Sequence, residues 1–396
     1  MNKLTTAALF LLAIGIFTSV SVLSGYQIFF TIPAIYYTLQ AYRTNEYKLP
    51  KSAWFLLSFI VIALLSLVVN YDLLPKPGKN FGRLRYYLYG FSGIFVLRAW
   101  LQNSTEKMKN FISNTFLISI AAAGSYATYT YFTNGLDRAR GFTDTLRYGY
   151  GSGMLLLTLL GCILHHEKIK QWFNWRLGIV ALILGFSGLY FTYTRGALLG
   201  FLCGLPFVLY YYKRKLGLTL GGLAVLSVVG LALVYFFGSG NYNSRFLMNK
   251  DNGSDNIRWS QWKAAVIAIQ EKPVLGWGLS NYHSQLDRIK KQYDLDAKHY
   301  NNAHSHNLFL EVASGTGFIG LFFFLGWVLC WAREVFREGR LVKALVAPFG
   351  VAFVISSQFE MTFDANNASM IFFLYALSTC FTLSRNSNKQ NARTIL

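Results

Sequence analysis

Acidic side chains are scarce in this chain: 17 Asp and Glu stand against 37 Lys and Arg among 396 residues, a formal charge of +20, and charged residues of every kind make up only 14%. A water-facing domain carries about 25% charged residues, so an ordinary soluble fold is excluded. Cysteine is scarce as well. Cys162, Cys203, Cys330 and Cys380 all fall inside apolar runs without C-x-x-C spacing, which argues against a disulfide framework or a thiolate zinc site. The N-terminal run from Leu9 to Val22 follows Lys3 but has no A-x-A-like cleavage site and is followed by more apolar runs. It is read as a first transmembrane helix rather than a signal peptide. A charge of +20 would suggest nucleic acid in a soluble protein, but here the basic residues sit in short clusters between apolar runs, the pattern of loops flanking membrane spans.

What is abundant is apolar: 54% of residues are hydrophobic and 17% aromatic. A span needs roughly 17–25 mostly apolar residues. Runs of that kind lie near 5–22, 25–41, 53–71, 84–101, 111–132, 149–166, 175–194, 196–212, 216–237, 309–332, 341–357 and 367–384. The first two divide at Ser24-Gly25, and the seventh and eighth at Arg195-Gly196. The expected fold is therefore an all-α polytopic membrane protein with about twelve transmembrane helices. Nine lie in 1–237, a large polar helical segment follows in 238–308, and three more with a tail fill 309–396. Alternating loops starting from a cytoplasmic N-terminus carry Arg43, Lys48 and Lys51; Lys107 and Lys109; Lys168, Lys170 and Arg176; Lys213 to Lys215; Arg333 to Lys343; and Arg385, Lys389 and Arg393. Every inner loop is then basic, with both termini inside.

Two basic clusters fall on the outer side, against that rule: Lys76, Lys79, Arg83 and Arg85 before the fourth span, and Arg138, Arg140 and Arg147 before the sixth. They either snorkel toward lipid phosphates or bind an anionic ligand such as a phosphate or pyrophosphate. Arg195, in Phe191-Thr-Tyr-Thr-Arg-Gly-Ala-Leu-Leu-Gly200, stands between two apolar helices with no acidic residue nearby in sequence, and a charge at that depth calls for an anionic partner. The outer segment contains Ile257 to Pro273, whose apolar residues recur at helical spacing until the proline ends them, with Arg258 in the expected first turn. Gly276-Trp277-Gly278 reads as a turn. His304-Ser-His306-Asn307 arrives just before a span. A histidine there can act as a general base near neutral pH. Metal ligation is disfavoured, because Glu311 alone supplies a carboxylate at suitable spacing. Gly315, Gly317 and Gly320 would permit close helix packing.

His306-Asn307, nine residues, Gly317, two residues and Gly320 together resemble the signature of the O-antigen ligase and polymerase superfamily of bacterial envelope glycosyltransferases. The Thr-Arg-Gly-Ala-Leu-Leu-Gly run at Arg195 and Arg-x-x-x-Trp-x-x-Ala from Arg258 to Ala265 resemble its other hallmarks. The resemblance covers about 180–335, and the N-terminal half only by span count. It implies a GT-C-like enzyme of the bacterial inner membrane that works at the periplasmic face without a cofactor or metal, taking a glycan from undecaprenyl pyrophosphate by inverting transfer. His306 would be the base, and Arg195 and Arg258 would hold the pyrophosphate. Glu360 or Asp364 would orient His306 or Arg258, with His304 and Asn307 beside the substrate. Arg83, Arg85, Arg138, Arg140 and Arg147 would serve the anionic groups of the donor and of a lipid A-core acceptor. The motifs separate ligase weakly from polymerase or from transfer to protein. A twelve-span transporter is the competitor from another class, but no convincing repeat relates the two halves.

Overall fold

The structure is a computed structural model and describes residues 1–44, 49–133, 138–219, 222, 253–295 and 304–394, with side chains left out at 253–257 and 383–394. Most of the ninth expected span, Lys48, residues 238–252 and the side chains of Arg385, Lys389 and Arg393 lie outside that description.

Among the described residues the chain is helical and contains no strand. The helices are α1 Asn2–Gly15, α2 Val20–Thr44, α3 Lys51–Val69, α4 Pro77–Asn103, α5 Glu106–Thr133, α6 Thr145–Leu164, α7 Trp175–Phe191 and α8 Arg195–Tyr212, then α9 Gly253–Glu271, α10 Tyr282–Gln292, α11 Leu308–Arg337, α12 Arg340–Ser356 and α13 Ala365–Thr394. Every expected apolar run inside the described residues coincides with one of them. Among the described residues, α3, α8 and α11 are long and apolar enough to cross a membrane by length and composition. Their outward faces carry exposed Val61, Val68, Leu202, Phe318, Phe322 and Leu329, a surface suited to lipid rather than water.

Two breaks between consecutive helices fall elsewhere than the sequence suggested, and local hydrogen bonding explains both. The first apolar run breaks at residues 16–19, not at Ser24-Gly25, because the Ser19 hydroxyl accepts from the Val22 N–H at 3.3 Å and starts α2 there. Gly25 is carried inside α2. The break between α7 and α8 falls at Thr192 to Thr194, where Tyr193 has φ +49 and the Thr194 N–H donates to the Thr192 hydroxyl at 3.2 Å. Arg195 therefore opens α8 instead of standing between helices.

The bundle packs by contacts of α5 with α7, α8 with α12, α3 with α11 and α4 with α13. Phe59, Tyr87, Phe324, Trp327 and Phe363 form a buried aromatic centre where α3, α4, α11 and the α12–α13 loop meet. Outside the bundle, α9 buries Ala264, Ala265 and Ala268 against Tyr282, Leu286 and Ile289 of α10. Helix α9 begins at Gly253, so Arg258 lies in its second turn, and it ends at Glu271, two residues before Pro273.

The turn after α9 explains the glycines of α11. At Gly317 the backbone leaves helical geometry (φ +67, ψ −172). The Phe318 N–H freed there donates to the Pro273 carbonyl at 2.7 Å, while the Trp277 and Gly278 N–H groups donate to the Ser314 and Gly315 carbonyls, both at 2.9 Å. The Ser66 hydroxyl of α3 bonds the Leu275 carbonyl at 2.6 Å and the Gly315 carbonyl at 2.8 Å. The glycines thus receive a turn by main-chain hydrogen bonds, where the sequence suggested packing between helices.

Candidate active site

The His304-Ser305-His306 loop is held from below by α11. The Ser305 N–H donates to Glu311 Oε2 at 3.0 Å, and the Ser305 hydroxyl donates to the Asn307 carbonyl at 2.7 Å. Asn307 caps α11: its side-chain oxygen accepts from the Phe309 and Leu310 N–H groups at 3.0 and 3.1 Å. His306 adopts φ +50, a left-handed conformation that non-glycine residues hold where neighbouring bonds over-determine it. The Leu308 N–H, donating to the Ser357 carbonyl at 2.8 Å, ties this loop to the α12–α13 loop.

That second loop supplies Glu360, which is 4% exposed. Its carboxylate accepts from both histidines: His306 Nδ1 lies 3.1 and 3.0 Å from the two oxygens, and His304 Nε2 bonds Oε1. The Met361 N–H adds a bond at 3.0 Å. Burial alone would raise the Glu360 pKa, but the hydrogen bonds and charges of the two histidines outweigh it and hold the carboxyl well below the usual range. For His304, burial opposes the charged ring, yet the bond and charge of Glu360, helped by Glu311, leave its pKa above the ordinary histidine value, with Arg83 acting against them. The donor atoms of His304, His306 and Glu360 all lie within 4.8 Å of one another, a spacing that would also suit a cation. Because the carboxylate is bonded directly to both rings, the arrangement is first a hydrogen-bonded triad.

Beside this triad a cavity of about 550 Å³ opens between the first turns of α4, the start of α6 and the α12–α13 loop. Lys79, Arg83 and Arg85 line it from α4 and Arg147 from α6, with His304 and Glu360 on its wall. Arg83, Arg85 and Arg147 lie within the first turns of these helices rather than in preceding loops. Asp144 caps α6 and pairs with Arg147 at 2.9 Å. Asp364, also on the wall, caps α13 by accepting from the Asn366 and Asn367 N–H groups at 2.9 Å. Burial raises its pKa to about 6, against the pull of the Asn367 N–H and Arg147. Asp364 therefore neighbours Arg147 and Asp144, and Glu360 is the carboxylate that meets the histidines.

A second group of cations gathers around Tyr150, which also lines the cavity. Arg138 donates to the Thr192 carbonyl at 2.8 Å and to the Thr194 hydroxyl at 3.1 Å, the residues that open α8 at Arg195. Partial desolvation and, after the opposing pull of Tyr150, the charges of Arg258 and Arg195 lower the Arg138 pKa, so both of those guanidiniums bear on Arg138. Glu360, Arg258 and Arg138 all act on the Tyr150 hydroxyl. A side chain at Gly196 would lie 2.5 Å from that hydroxyl and 3.0 Å from Phe359, so the Arg195-Gly196 turn sits directly on Tyr150 and the Glu360 loop. Arg140 stands apart: it is exposed and its main chain bonds Thr130. Tyr150 is the site residue that sequence reasoning missed, since it belongs to no motif; Lys79, which lines the cavity, was named in the outer basic cluster.

Residues 180–325 match the family model described as O-antigen ligase. An uncharacterized protein of Haemophilus influenzae is 26% identical over 283 residues, covering 66% of this chain and 70% of that protein. The matched stretch contains Arg195, Arg258 and the His304–His306 loop, so the similarity falls on the segment that carries these site residues.

Proposed function

We propose that the protein is an O-antigen ligase, transferring O-antigen polysaccharide from undecaprenyl pyrophosphate to lipid A-core at the periplasmic face of the inner membrane. The observation that carries this is the Glu360 carboxylate clasped by two histidines, with the charges of Arg195 and Arg258 both felt at Arg138. The twelve-span topology with both termini cytoplasmic, the division at 237 and 308, and the outward orientation of segment 238–308 belong to the same proposal.

Ionised Glu360 can only accept hydrogen bonds, so it holds the proton of His306 on Nδ1 and leaves the Nε2 lone pair for an acceptor hydroxyl. That hydroxyl loses its proton to Nε2 as its oxygen bonds the anomeric carbon. The bond from that carbon to the pyrophosphate oxygen breaks, and its electron pair leaves with the pyrophosphate. Arg195, Arg258 and Arg138 meet the charge developing there. Attack from the face opposite the leaving group inverts the anomeric configuration. Pyrophosphate is already a good leaving group, so positioning, a base and cations suffice and the scheme calls for no metal.

Expression in a strain lacking its ligase, with gel analysis of lipopolysaccharide, tests the assignment. A restored ladder on lipid A-core is expected; longer chains on undecaprenyl pyrophosphate without that ladder would instead mark a polymerase. The Arg195→Lys variant, keeping the charge but losing the planar fork, is expected to lower transfer by roughly 10–100-fold, the loss of about one charge-assisted hydrogen bond. Wild-type rates from purified Arg195→Lys protein would remove bidentate binding of the pyrophosphate.

A further inference from the structure

We propose that His304 is a proton-dependent cation that binds a phosphate group of the acceptor in the cavity it lines with Arg83, while His306 alone serves as base. This rests on the proposed transfer reaction at the same site. Three observations carry it. The His304 side chain is 38% exposed and lies on the cavity wall, whereas the His306 side chain is 17% exposed and is not among the lining residues. The surrounding wall carries four cations besides His304, with Lys79, Arg83, Arg85 and Arg147 against Asp144, Glu360 and Asp364. And the two rings present different nitrogens to the shared carboxylate, Nε2 from His304 and Nδ1 from His306.

The third observation decides the chemistry. Glu360 is an acceptor, so Nε2 of His304 carries a proton whether the ring is neutral or charged. Titration of the ring then falls on Nδ1. Neutral, Nδ1 is a lone pair, which repels an anion; protonated, it is a charged donor, which binds one. The charged groups acting on His304 are Glu360 from the α12–α13 loop and Glu311 from α11, which favour protonation, and Arg83 from α4, which disfavours it; the titratable His306 ring, its centroid 4.5 Å from that of His304, packs against it and shares Glu360. Together they keep the ring charged to higher pH than an ordinary histidine, despite burial. Phosphate binding through His304 is accordingly complete below that raised pKa and is lost as pH rises through it.

The test uses the full-length protein in nanodiscs, undecaprenyl-pyrophosphate-linked O-antigen as donor, and lipid A-core with its phosphates intact or removed. The wild-type KM for intact acceptor is expected to rise roughly tenfold as pH is raised across the histidine range, the worth of about one charge-assisted bond. His304→Gln should show the high KM at every pH with kcat retained, and His304→Lys, permanently charged, should keep the low KM at high pH. With dephosphorylated acceptor, wild type and both variants should share one KM. A fall in kcat at unchanged KM in both variants would make His304 the base and overturn the proposal, as would KM shifts of equal size with both acceptors. If His306→Ala transfers as fast as wild type, the transfer chemistry itself is misassigned, an outcome separate from any result at His304.

Discussion

Replacing His306 by alanine is expected to lower glycan transfer by roughly 10²–10⁴-fold, the range over which a positioned general base contributes. The loss should appear in kcat, with KM for donor and acceptor little changed, because the arginines and the cavity remain. Single-turnover assays on purified protein measure it. The geometry makes the expectation specific to His306: its Nδ1 is held by both oxygens of Glu360, so an alanine removes the one ring whose free Nε2 is backed by a bidentate carboxylate. Glu360→Gln should reproduce much of the effect, since an amide can offer its NH2 to Nδ1 and hold the wrong tautomer. Transfer by His306→Ala at the wild-type rate would exclude the base mechanism.

Gly317→Ala is expected to destabilise the protein by roughly 2–6 kcal/mol. The new Cβ would lie 2.1 Å from the Val274 carbonyl oxygen, an overlap that costs about 1–3 kcal/mol to relieve. The backbone at φ +67, ψ −172 is nearly reserved for glycine, adding about 1–3 kcal/mol. The turn cannot retreat, because Phe318, Trp277 and Gly278 each donate a main-chain bond across this contact. A titration of unfolding in mixed detergent and SDS should show the earlier midpoint, and wild-type stability would mean that the turn is not seated on α11 as described. Gly276→Ala should act in the same direction, since its Cβ would lie 2.5 Å from the Gly315 carbonyl carbon at φ +64.

The helical runs and the residues of the motifs were legible in the sequence because both are local. Apolar length gives a helix wherever it occurs, and Pro273 ends α9 by lacking an N–H. Two boundaries were misplaced for an equally local reason that composition does not weigh: the hydroxyls of Ser19 and Thr192 compete for main-chain N–H groups and start helices earlier or later than an apolar count suggests. The glycines of α11 were recognised as places of close approach, but not what approaches, since the partner turn is 37 to 45 residues away in sequence and its bonds are main-chain.

The site divides in the same way. His304, His306, Arg195 and Arg258 could be named from sequence. Glu360 and Asp364 were indistinguishable there, two carboxylates four residues apart; burial and hydrogen bonding give Glu360 to the histidines and Asp364 to the first turn of α13. Asn307, expected beside the substrate, proves to cap α11, a use the sequence reading did not assign to it.

By itself, then, the sequence determined a helical chain with apolar runs suited to a membrane and named the histidines and arginines of the candidate site, since composition, apolar run length and motif spacing all survive without knowledge of contacts. Only the tertiary structure decided which carboxylate the histidines share, which arginines surround Tyr150 and which instead line the cavity with His304. Those pairings join residues separated by tens to hundreds of positions, and they depend on helix ends meeting in space, where the few buried acidic groups must find their donors or remain unpaired.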